Sequence, residues 1–354
     1  QEGDDLPINI FEEMEDVIEE RGENPVEEYG FMGPHQTINN LYGSLLRPGN
    51  ITVIVARSGV GKTQFCMDFC TKTSLSYKNV PVLHFDNGEM SKEEIMNRQC
   101  AALSGVQLHL IETGKWRRAG EETVKKMRQA LAQVKDMKFY YYNVGGMSVD
   151  SMINVVKRFY YSKVGRGNRM ILSFDYIKTT FEKFNTKTEW QVVGEMVDKF
   201  KRLVQKEVVF EGDPMIAMMT SVQSNRSGIV GNRNSDSVVD DESIVSLSDR
   251  IIQFSSHLLS LRQKTLDELQ NEPADFGSHR LTCIKHRHLG PEVYRALTPV
   301  EMPDGSRRKN SINLEINNFN VTDKGDLKDL ADNMDLNDIE AENGNNFFEA
   351  PQFS

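Results

Sequence analysis

One stretch of the chain decides its fold: Ala56-Arg57-Ser58-Gly59-Val60-Gly61-Lys62-Thr63. It follows the apolar run Ile51–Val55, which is typical of a buried strand, and it leads into Gln64–Phe69, which is typical of a helix. A glycine-rich loop between a strand and a helix, closed by Gly-Lys-Thr, is the pattern of a phosphate-binding loop. Its one departure is Ala56, which stands where the first glycine of the pattern is usual.

This loop predicts a binding site for ATP and Mg²⁺. Backbone N–H groups and the N-terminus of the following helix attract phosphate oxygens, a lysine adds positive charge, and a threonine hydroxyl can hold the metal. The alternative, an ordinary glycine turn, gives no reason for the strand and the helix on either side. The predicted nucleotide-binding residues are Ser58, Gly59, Val60, Gly61, Lys62, Thr63 and Gln64, of which Thr63 is also a predicted Mg²⁺ ligand.

The composition is typical of a soluble globular protein. Of 354 residues, 38% are hydrophobic and 27% are charged, and no apolar run approaches the roughly 20 residues that cross a membrane. No signal peptide opens the chain, so we expect a cytoplasmic protein with no membrane partner. The four cysteines are too few and too irregularly spaced to predict a disulfide framework or a zinc site.

Charge is distributed unevenly along the chain. The net charge is −10, but residues 1–29 hold 12 acidic side chains and one arginine, and residues 324–354 hold 8 acidic side chains and two lysines. The body at 30–323 therefore has 39 basic and 32 acidic side chains. A basic body between acidic ends is compatible with a polyanionic partner such as nucleic acid.

Strand-like and helical patterns alternate along the body. This alternation predicts an α/β fold, in which helices flank a mainly parallel sheet. The last two strands lack a helix between them, which predicts an antiparallel hairpin at one edge. The predicted strands are Ile51–Val55, Val80–Phe85, Phe139–Asn143, Met170–Phe174, Met215–Thr220, Leu258–Arg262 and Leu281–Lys285, and the predicted helices lie near 63–77, 91–103, 118–134, 148–163 and 189–209.

The two ends differ from the body. In 1–29, an apolar stripe follows helical spacing over Asn9–Ile18, with Asn9 as the predicted N-cap and a break at Gly22–Pro25. This stripe packs either on its own domain or on a neighbouring subunit. Residues 324–354 lack periodicity and are rich in Asp, Asn and Glu, which predicts a disordered tail apart from a short helix.

Three predicted strand ends supply candidates for hydrolysis. Asp175 ends the apolar run that begins at Met170, and it is a predicted Mg²⁺ ligand at the sheet edge that holds the phosphate loop. Glu89 and Asp86 follow another strand, and either carboxylate suits a general base for water. Gln223 follows a third strand, either as a sensor of the γ-phosphate or as an ordinary polar strand end.

Taken in order, these motifs resemble the motor domain of the DnaB-type hexameric replicative helicases. The resemblance covers residues 30–323 and implies a RecA-like phosphate-loop NTPase core. It accounts for Ala56, since Ala-Arg is common there in the family, and it favours Glu89 over Asp86 as the base. The stretches that carry it are Leu45–Ile54, Ala56-Arg57, His84–Ser91 with Ile95–Arg98, Phe174–Tyr176, Ser221–Arg226, and Ser243-Ile244 with Asp249 and Ile251.

A further motif, Lys285–Pro291, is similar to the family's Lys-Gln-Arg-Asn-Gly-Pro hairpin, with one extra residue before the glycine. The resemblance implies that Lys285 and Arg287 reach the γ-phosphate held by the next subunit; a basic patch on nucleic acid or a solvated turn is the alternative. The family's DNA-contacting Arg-Glu-Ser-Gly stretch corresponds here to the acidic residues 239–242. Arg226 and Arg233 are then the candidates for holding DNA phosphates.

The resemblance implies an ATP-hydrolysing helicase whose hexameric ring translocates on single-stranded DNA and unwinds duplex at the replication fork. The compact chain and its acidic tail favour a phage as the source. A primase, a polymerase or a single-strand-binding protein are the partners it suggests, through the N-terminal helix or the acidic tail. The alternative, which the acidic stretch at 239–242 supports, is a RecA-fold ATPase of a recombination or signalling assembly without strand-separating activity.

Overall fold

The computed structural model describes residues 9–78, 80–177, 189–223 and 249–335. Its main feature is one nine-stranded sheet, and two further pairs of two-residue strands lie outside it. The strands are β1 Ile51–Ala56, β2 Val82–Asp86, β3 Phe139–Asn143, β4 Met170–Ile177, β5 Val209–Phe210, β6 Asp213–Pro214, β7 Ile216–Gln223, β8 His257–Gln263, β9 His279–His286, β10 Val300–Glu301, β11 Arg307–Arg308, β12 Ile312–Asn317 and β13 Asn320–Asp326.

The sheet order is β13-β12-β9-β8-β1-β7-β4-β2-β3. The six strands from β8 to β3 in this order are mutually parallel, with β1 between β7 and β8. On the other side, β8 pairs antiparallel with β9, β9 with β12, and β12 with β13. The predicted α/β class, the mainly parallel sheet and the antiparallel pairing of β8 with β9 are therefore confirmed. The position of that pair is corrected: β12 and β13 continue the sheet beyond β9, and a helix at Leu266–Asn271 lies between β8 and β9.

Helices cover both faces of the sheet. They are α1 Met14–Glu23, α2 Gln36–Tyr42, α3 Lys62–Ser76, α4 Lys92–Ser104, α5 Leu108–Glu112, α6 Glu121–Val134, α7 Val149–Phe159, α8 Glu189–Arg202, α9 Asp249–Phe254, α10 Leu266–Asn271 and α11 Val293–Leu297. Single π-helical turns, Tyr160–Val164 and Leu203–Glu207, extend α7 and α8. Within the described residues, no helix combines the length and the apolar character that crossing a bilayer requires.

Strand alternation divides the core into two layers around β1. Val53 and Val55 point to one layer, where they join buried residues of α7 and α8 such as Phe200. Ile54 and Ala56 point to the other, where they pack with Phe65 and further residues of α2 and α3. Full burial of such side chains contributes about 1.5–3 kcal/mol each, so β1, buried along its whole length, fixes the position of the loop that follows it.

The seven predicted strands are all present, with ends that differ by up to three residues. The sequence-based prediction missed β12 and β13. The alternation of apolar and polar residues over Ile312–Asn317 is a strand signal that was overlooked, whereas Asn320–Asp326 has a single strongly apolar residue, Val321. Both strands extend the antiparallel side of the sheet, and their connecting turn contributes to the site described below.

The N-terminal helix corrects two predictions. The helix begins at Met14 rather than near Asn9, because the Asn9 side chain accepts a hydrogen bond from the backbone of Phe11, 3.2 Å away, and forms a turn there. The predicted apolar stripe is solvent-exposed, and α1 has no buried residue. Packing of this stripe on its own domain is therefore wrong, whereas docking on a neighbouring subunit stays a prediction.

The predicted start of the disordered tail, at residue 324, is also too early. Strand β13 continues to Asp326, and a helix at 327–335 follows directly. Leu327, Leu330 and Ala331 of that helix pack against Val300 and Met302. These three apolar residues have i, i+3, i+4 spacing, which the acidic composition around them obscured. Residues 336–354 lie outside the described part of the chain.

Candidate functional site

The phosphate loop joins the end of β1 to the start of α3. Gly59 and Gly61 have φ angles of +77° and +107°, a left-handed conformation that favours glycine. Ala56 precedes this turn, inside β1 and without a positive φ, so a Cβ is tolerated there. The backbone conformation therefore favours glycine at positions 59 and 61 but not at position 56.

The parallel strands bring three predicted residues to this loop. Ala56 at the end of β1 pairs with Gln223 at the end of β7, and Asp86 at the end of β2 pairs with Asp175 of β4. Because β1, β7, β4 and β2 are adjacent and parallel, their carboxyl ends form one edge of the sheet, which is where open α/β sheets bind ligands. The structure thus places Gln223, Asp175 and the residues after Asp86 beside the phosphate loop.

Asp175 has an oxygen suited to a cation. Its carboxylate is 1% exposed, and Oδ1 accepts a hydrogen bond from the Ser221 hydroxyl at 3.1 Å. Burial raises the pKa of Asp175, while the nearby Thr63 hydroxyl and the charge of Lys62 oppose that shift. Oδ2 is buried and has no hydrogen-bond partner among the described residues. An unpartnered carboxylate oxygen beside a phosphate loop suits Mg²⁺, which prefers oxygen ligands.

Lys62, the lysine of the loop, is buried at the first position of α3. Its Nζ lies over the ring of Tyr176, 4.2 Å from the ring centroid, an arrangement that suits a cation–π contact. Tyr176 directly follows Asp175, so the lysine is held over the strand end that carries the candidate metal ligand.

Asp86 and Glu89 have different environments. Asp86 is fully buried, and its carboxylate accepts hydrogen bonds from the backbone N–H groups of Glu89 and Met90, 2.9 and 3.2 Å away. Glu89 is exposed at the same sheet edge, and its charge is among the groups that raise the pKa of Asp175. Ser91 then begins α4 with a capping box that includes Glu94, which fixes the chain just after Glu89. Asp86 is thus engaged in holding the loop, while the role of Glu89 as base stays a prediction.

A cavity of about 440 Å³ adjoins the phosphate loop. Besides residues 59–64, it is lined by Arg98, which lies in a stretch that carries the family resemblance but was not predicted as a site residue. The other lining residues were not singled out from the sequence: Gln263, His279, Ile316, Asn318 and Phe319. Asn318-Phe319 forms the two-residue turn between β12 and β13, and Asn-Phe is not among the dipeptides that predict such a turn.

The Asn318-Phe319 turn is fastened to the loop and to α4. The Gln64 side chain donates a hydrogen bond to the Phe319 carbonyl, and the Arg98 guanidinium lies 5.2 Å from the Phe319 ring centroid. Asn318 Nδ2 donates to the Val106 carbonyl at 2.9 Å. His279, which also lines the cavity, has its Nε2 atom 2.9 Å from the Val60 carbonyl, within hydrogen-bond reach. The phosphate loop, the Phe319 ring and the Arg98 guanidinium therefore line the same cavity.

Lys285 and Arg287 lie at the opposite edge of the sheet. His279, where β9 starts, is beside the phosphate loop, whereas Lys285 pairs with Leu258 near the start of β8. His279 and Lys285 are six positions apart in extended chain, which corresponds to a distance of about 20 Å. Lys285 Nζ donates to the carbonyls of Ile252 and Gln253, the latter at 3.1 Å. Neither basic residue is placed at its own phosphate loop, and their action on a neighbouring subunit stays a prediction.

Several predicted contacts lie outside the described residues. They are Arg226, Arg233, the acidic stretch at 239–242 and Ser243-Ile244. Among the described residues, no cluster of three or more His, Cys, Asp or Glu side chains could hold a metal ion. A metal at this site would therefore need the Thr63 hydroxyl and phosphate oxygens in addition to Asp175.

The chain matches a known protein family. The family described as "DnaB-like helicase C terminal domain" matches residues 35–229, more than half of the chain. This range includes the phosphate loop, Glu89, Asp175 and Gln223, and it ends before Lys285.

Curated relatives match over shorter stretches. The chain is 40% identical over 80 residues to "Replicative DNA helicase DnaB" of Buchnera aphidicola subsp. Baizongia pistaciae (strain Bp), which is 23% of this chain and 17% of the relative. It is 41% identical over 69 residues to the protein of the same name from Pasteurella multocida (strain Pm70), 20% of this chain and 14% of that relative. These matches span less than a fifth of either relative's length.

Two solved structures share the fold. One, described as "The Structure Of A DnaB-Like Replicative Helicase And Its Interactions With Primase", has a TM-score of 0.64 at 17% identity and covers 90% of this chain and 67% of that chain. The other, described as an ATPase domain, has a TM-score of 0.66 at 16% identity and covers 89% of this chain and 99% of that chain.

Proposed function

The chain belongs to the DnaB-like helicase C-terminal domain family, and from that premise we propose that it is the motor of an ATP-dependent replicative DNA helicase. In this proposal it translocates along single-stranded DNA and separates duplex at a replication fork. The observation that carries the proposal is the common position of the phosphate loop, Asp175, Glu89 and Gln223 at one sheet edge. That set matches what hydrolysis of a nucleoside triphosphate requires.

ATP binds in the cavity beside the loop. The backbone N–H groups of residues 58–64 and the charge of Lys62 hold the phosphates, and Phe319 with Arg98 supplies a flat surface for the base. Thr63 and the unpartnered oxygen of Asp175 would hold Mg²⁺, which would neutralise charge on the phosphates. The fit of these residues to the ligand supports ATP and Mg²⁺ as substrate and cofactor.

Hydrolysis transfers the γ-phosphoryl group to water. Glu89 accepts a proton from the attacking water, whose oxygen bonds to the γ-phosphorus while the bond to the β–γ bridging oxygen breaks. Gln223, beside the end of β1, senses the loss of the γ-phosphate and passes it to the chain that follows β7. Its register position, directly opposite Ala56, supports that role.

Charge stabilisation comes from a second subunit. Lys285 and Arg287 lie about 20 Å along β9 from the phosphate-loop edge, so they serve a neighbour in a head-to-tail ring, which we propose is a hexamer. A positive charge supplied in this way accelerates phosphoryl transfer by about 1,000-fold or more in other nucleotidases. The exposed stripe of α1 provides a second contact between neighbours.

Further partners follow from the same proposal. Single-stranded DNA is the track, and Arg226 and Arg233 are the candidates for its phosphate contacts. A primase, a polymerase or a single-strand-binding protein binds through α1 or through residues 336–354, and the protein acts in the cytoplasm of a bacterial host if a phage encodes it.

The deciding experiment measures ATP hydrolysis by the full chain with and without single-stranded DNA, together with unwinding of a forked duplex. We expect DNA to stimulate hydrolysis and ATP to drive unwinding. Hydrolysis without unwinding on any fork substrate would instead support a recombination or signalling ATPase.

A further inference from the structure

Lys201, on α8, is a buried cation. The side chain is 6% exposed, and Nζ lies 3.1 Å from the Gly49 carbonyl, 3.1 Å from Ser256 Oγ and 3.4 Å from Asn50 Oδ1. All three acceptors are neutral, and no ion pair between Lys201 and a carboxylate occurs among the described residues. Burying a charge without a counter-ion is unfavourable. A lysine at this position therefore calls for a reason beyond packing.

The three acceptors lie where two central strands begin. Gly49 and Asn50 immediately precede β1, and Ser256 immediately precedes β8. The Ser256 N–H donates to the Ile51 carbonyl at 2.8 Å, and Ser256 Oγ donates to Asn50 Oδ1 at 2.9 Å. Lys201 therefore joins α8 to the starts of both strands at the sheet edge opposite the phosphate loop.

The same junction holds the residue proposed to act on the neighbouring subunit. The Arg287 N–H donates to the Ser256 carbonyl at 3.0 Å, so the backbone of Arg287 is fixed to the residue whose side chain contacts Lys201. The next residues, His257 of β8 and His286 of β9, pair with each other, so the link between the two segments extends into the sheet. A displacement of Ser256 would consequently move Arg287.

Positive charge accumulates around this junction. Burial, and then the charges of Arg287 and Lys285, lower the pKa of Lys201 to about 8. Burial lowers the pKa of His288, and the charges of Arg47, Arg287 and Lys201 lower it further, while the carboxylate of Glu28 opposes them. Glu28 itself lies 4.0 Å from Arg47. Repulsion among these positive charges is unfavourable, and binding of an anion such as a phosphate group would relieve it. The positive potential at this junction also attracts anions.

We propose that Lys201 is a positioning residue for the reaction of the adjacent subunit: through Ser256 it sets the place of Arg287, and its buried charge adds to the potential that Arg287 and Lys285 present to the neighbour's γ-phosphate. This proposal rests on the proposed function, since it requires that Arg287 act across the subunit interface. Lys201 touches no substrate in this arrangement, and the phosphate loop of its own subunit lies at the far edge of the sheet.

The test compares Lys201→Met and Lys201→Gln in the full chain with wild type. Met removes both the charge and the hydrogen bonds, whereas Gln can still donate to the same oxygens. Lys199→Gln is the matched control, because Lys199 lies on the same helix but pairs at the surface with Asp150, 2.8 Å away. Steady-state ATP hydrolysis, ADP affinity, ring size and thermal stability are measured for each.

We expect kcat to fall about 10- to 100-fold in Lys201→Met, because small displacements of a catalytic group have effects of that size. The affinity for ADP should stay within about twofold of wild type, because ADP lacks the γ-phosphate that Arg287 of the neighbouring subunit is proposed to contact. Lys201→Gln should be intermediate, and Lys199→Gln unchanged. Ser256→Ala, which removes one acceptor without touching the charge, should lower kcat in the same direction.

The outcomes separate this inference from the proposed function. If Lys201→Met and Ser256→Ala both keep kcat within twofold of wild type while Arg287→Ala is inactive, the inference is wrong and the proposed function stands. Normal hydrolysis by Arg287→Ala would instead refute the action across the interface itself. Should Lys201→Met fail to fold, Lys201→Gln and Ser256→Ala decide the matter. A matching loss of ADP affinity and thermal stability would mean a general structural role, which also overturns the inference.

Discussion

Asp86 accepts a hydrogen bond from the backbone N–H of Glu89, 2.9 Å away, so the buried carboxylate holds the exposed one in place. The two acidic residues stand three apart after the same strand, and spacing alone does not assign their roles. The two carboxylates differ in burial. Asp86 is buried and accepts hydrogen bonds from backbone N–H groups, while Glu89 is exposed at the sheet edge that holds the phosphate loop.

Glu89→Gln should abolish hydrolysis without preventing nucleotide binding. Loss of a general base lowers turnover by about 100-fold or more, whereas the phosphate loop remains intact. Measurement of kcat together with ADP affinity checks this, with Glu93→Gln as the control because Glu93 is an exposed acid in the first turn of α4. Equal losses in both variants would remove Glu89 from the proposed mechanism.

Asp86→Ala should destabilise the fold itself. It leaves two backbone N–H groups without their acceptor, and such groups cost about 1–3 kcal/mol each when they stay buried and unpaired. A lower midpoint of thermal unfolding, with reduced turnover as a consequence, is the expected result. An unchanged midpoint would show that the loop after β2 does not depend on this carboxylate.

Phe319→Ala should weaken nucleotide binding more than it slows turnover. If the ring carries the base, its removal raises the KM for ATP roughly tenfold, in line with base–aromatic contacts of about 1–3 kcal/mol. Steady-state kinetics and ADP titration measure the effect. Tyr294→Ala, which truncates an aromatic ring that is 87% exposed, is the control, and an unaltered KM in Phe319→Ala would place the base elsewhere.

Mixing two inactive variants whose defects are complementary should restore ATP hydrolysis. Lys62→Ala loses its phosphate site but keeps Arg287, and Arg287→Ala has the opposite defect. An active site is complete wherever an Arg287→Ala subunit supplies the phosphate loop and a Lys62→Ala subunit supplies Arg287. In an equal mixture about one interface in four is complete, and hydrolysis should recover to about a quarter of the wild-type rate. Each variant is assayed alone first, and a mixture no more active than its components would contradict action across the interface.

Asp68 should impose a pH dependence on stability. Burial raises the pKa of this α3 carboxyl to about 6, against the opposing charge of Lys72, 2.8 Å away. Between its ordinary pKa near 4 and that value, the folded chain binds the proton more tightly than the unfolded chain, so the free energy of unfolding falls as the pH rises through this window. The effect is on the order of 2–3 kcal/mol.

Asp68→Asn should lack that dependence. Thermal or denaturant unfolding from pH 4 to pH 7 compares the two proteins, and the difference between their free energies of unfolding should change in this window and level off above it. A difference that is constant across the range would mean that the carboxyl titrates normally.

Local pattern was enough to predict the phosphate loop and the strand ends around it. The run Ile51–Val55, the two glycines with left-handed φ angles and the helix that follows are set by residues close together in sequence. Parallel strands then place Asp175 and Gln223 at the same edge as a matter of topology. No long-range information is needed for that much of the site.

The parts that could not be predicted depend on distant contacts. Phe319 reaches the nucleotide cavity only because β13 and β12 fold back beside β9, and a phenylalanine with a φ of +65° is an unusual turn residue. Lys201 looks like a surface lysine in a helical pattern, and only the starts of β1 and β8 enclose it. Its burial arises from tertiary packing that the order of residues in α8 does not reveal.

The separation of the phosphate loop and Arg287 at opposite edges of one sheet has a consequence for enzyme concentration. If both are needed, a single subunit carries two half-sites and no complete active site. An open row of n subunits has one active site fewer than it has subunits, and only a closed ring has as many active sites as subunits. Specific activity should therefore rise with protein concentration, in step with assembly. The catalytic unit to be counted is then the contact between chains rather than the chain.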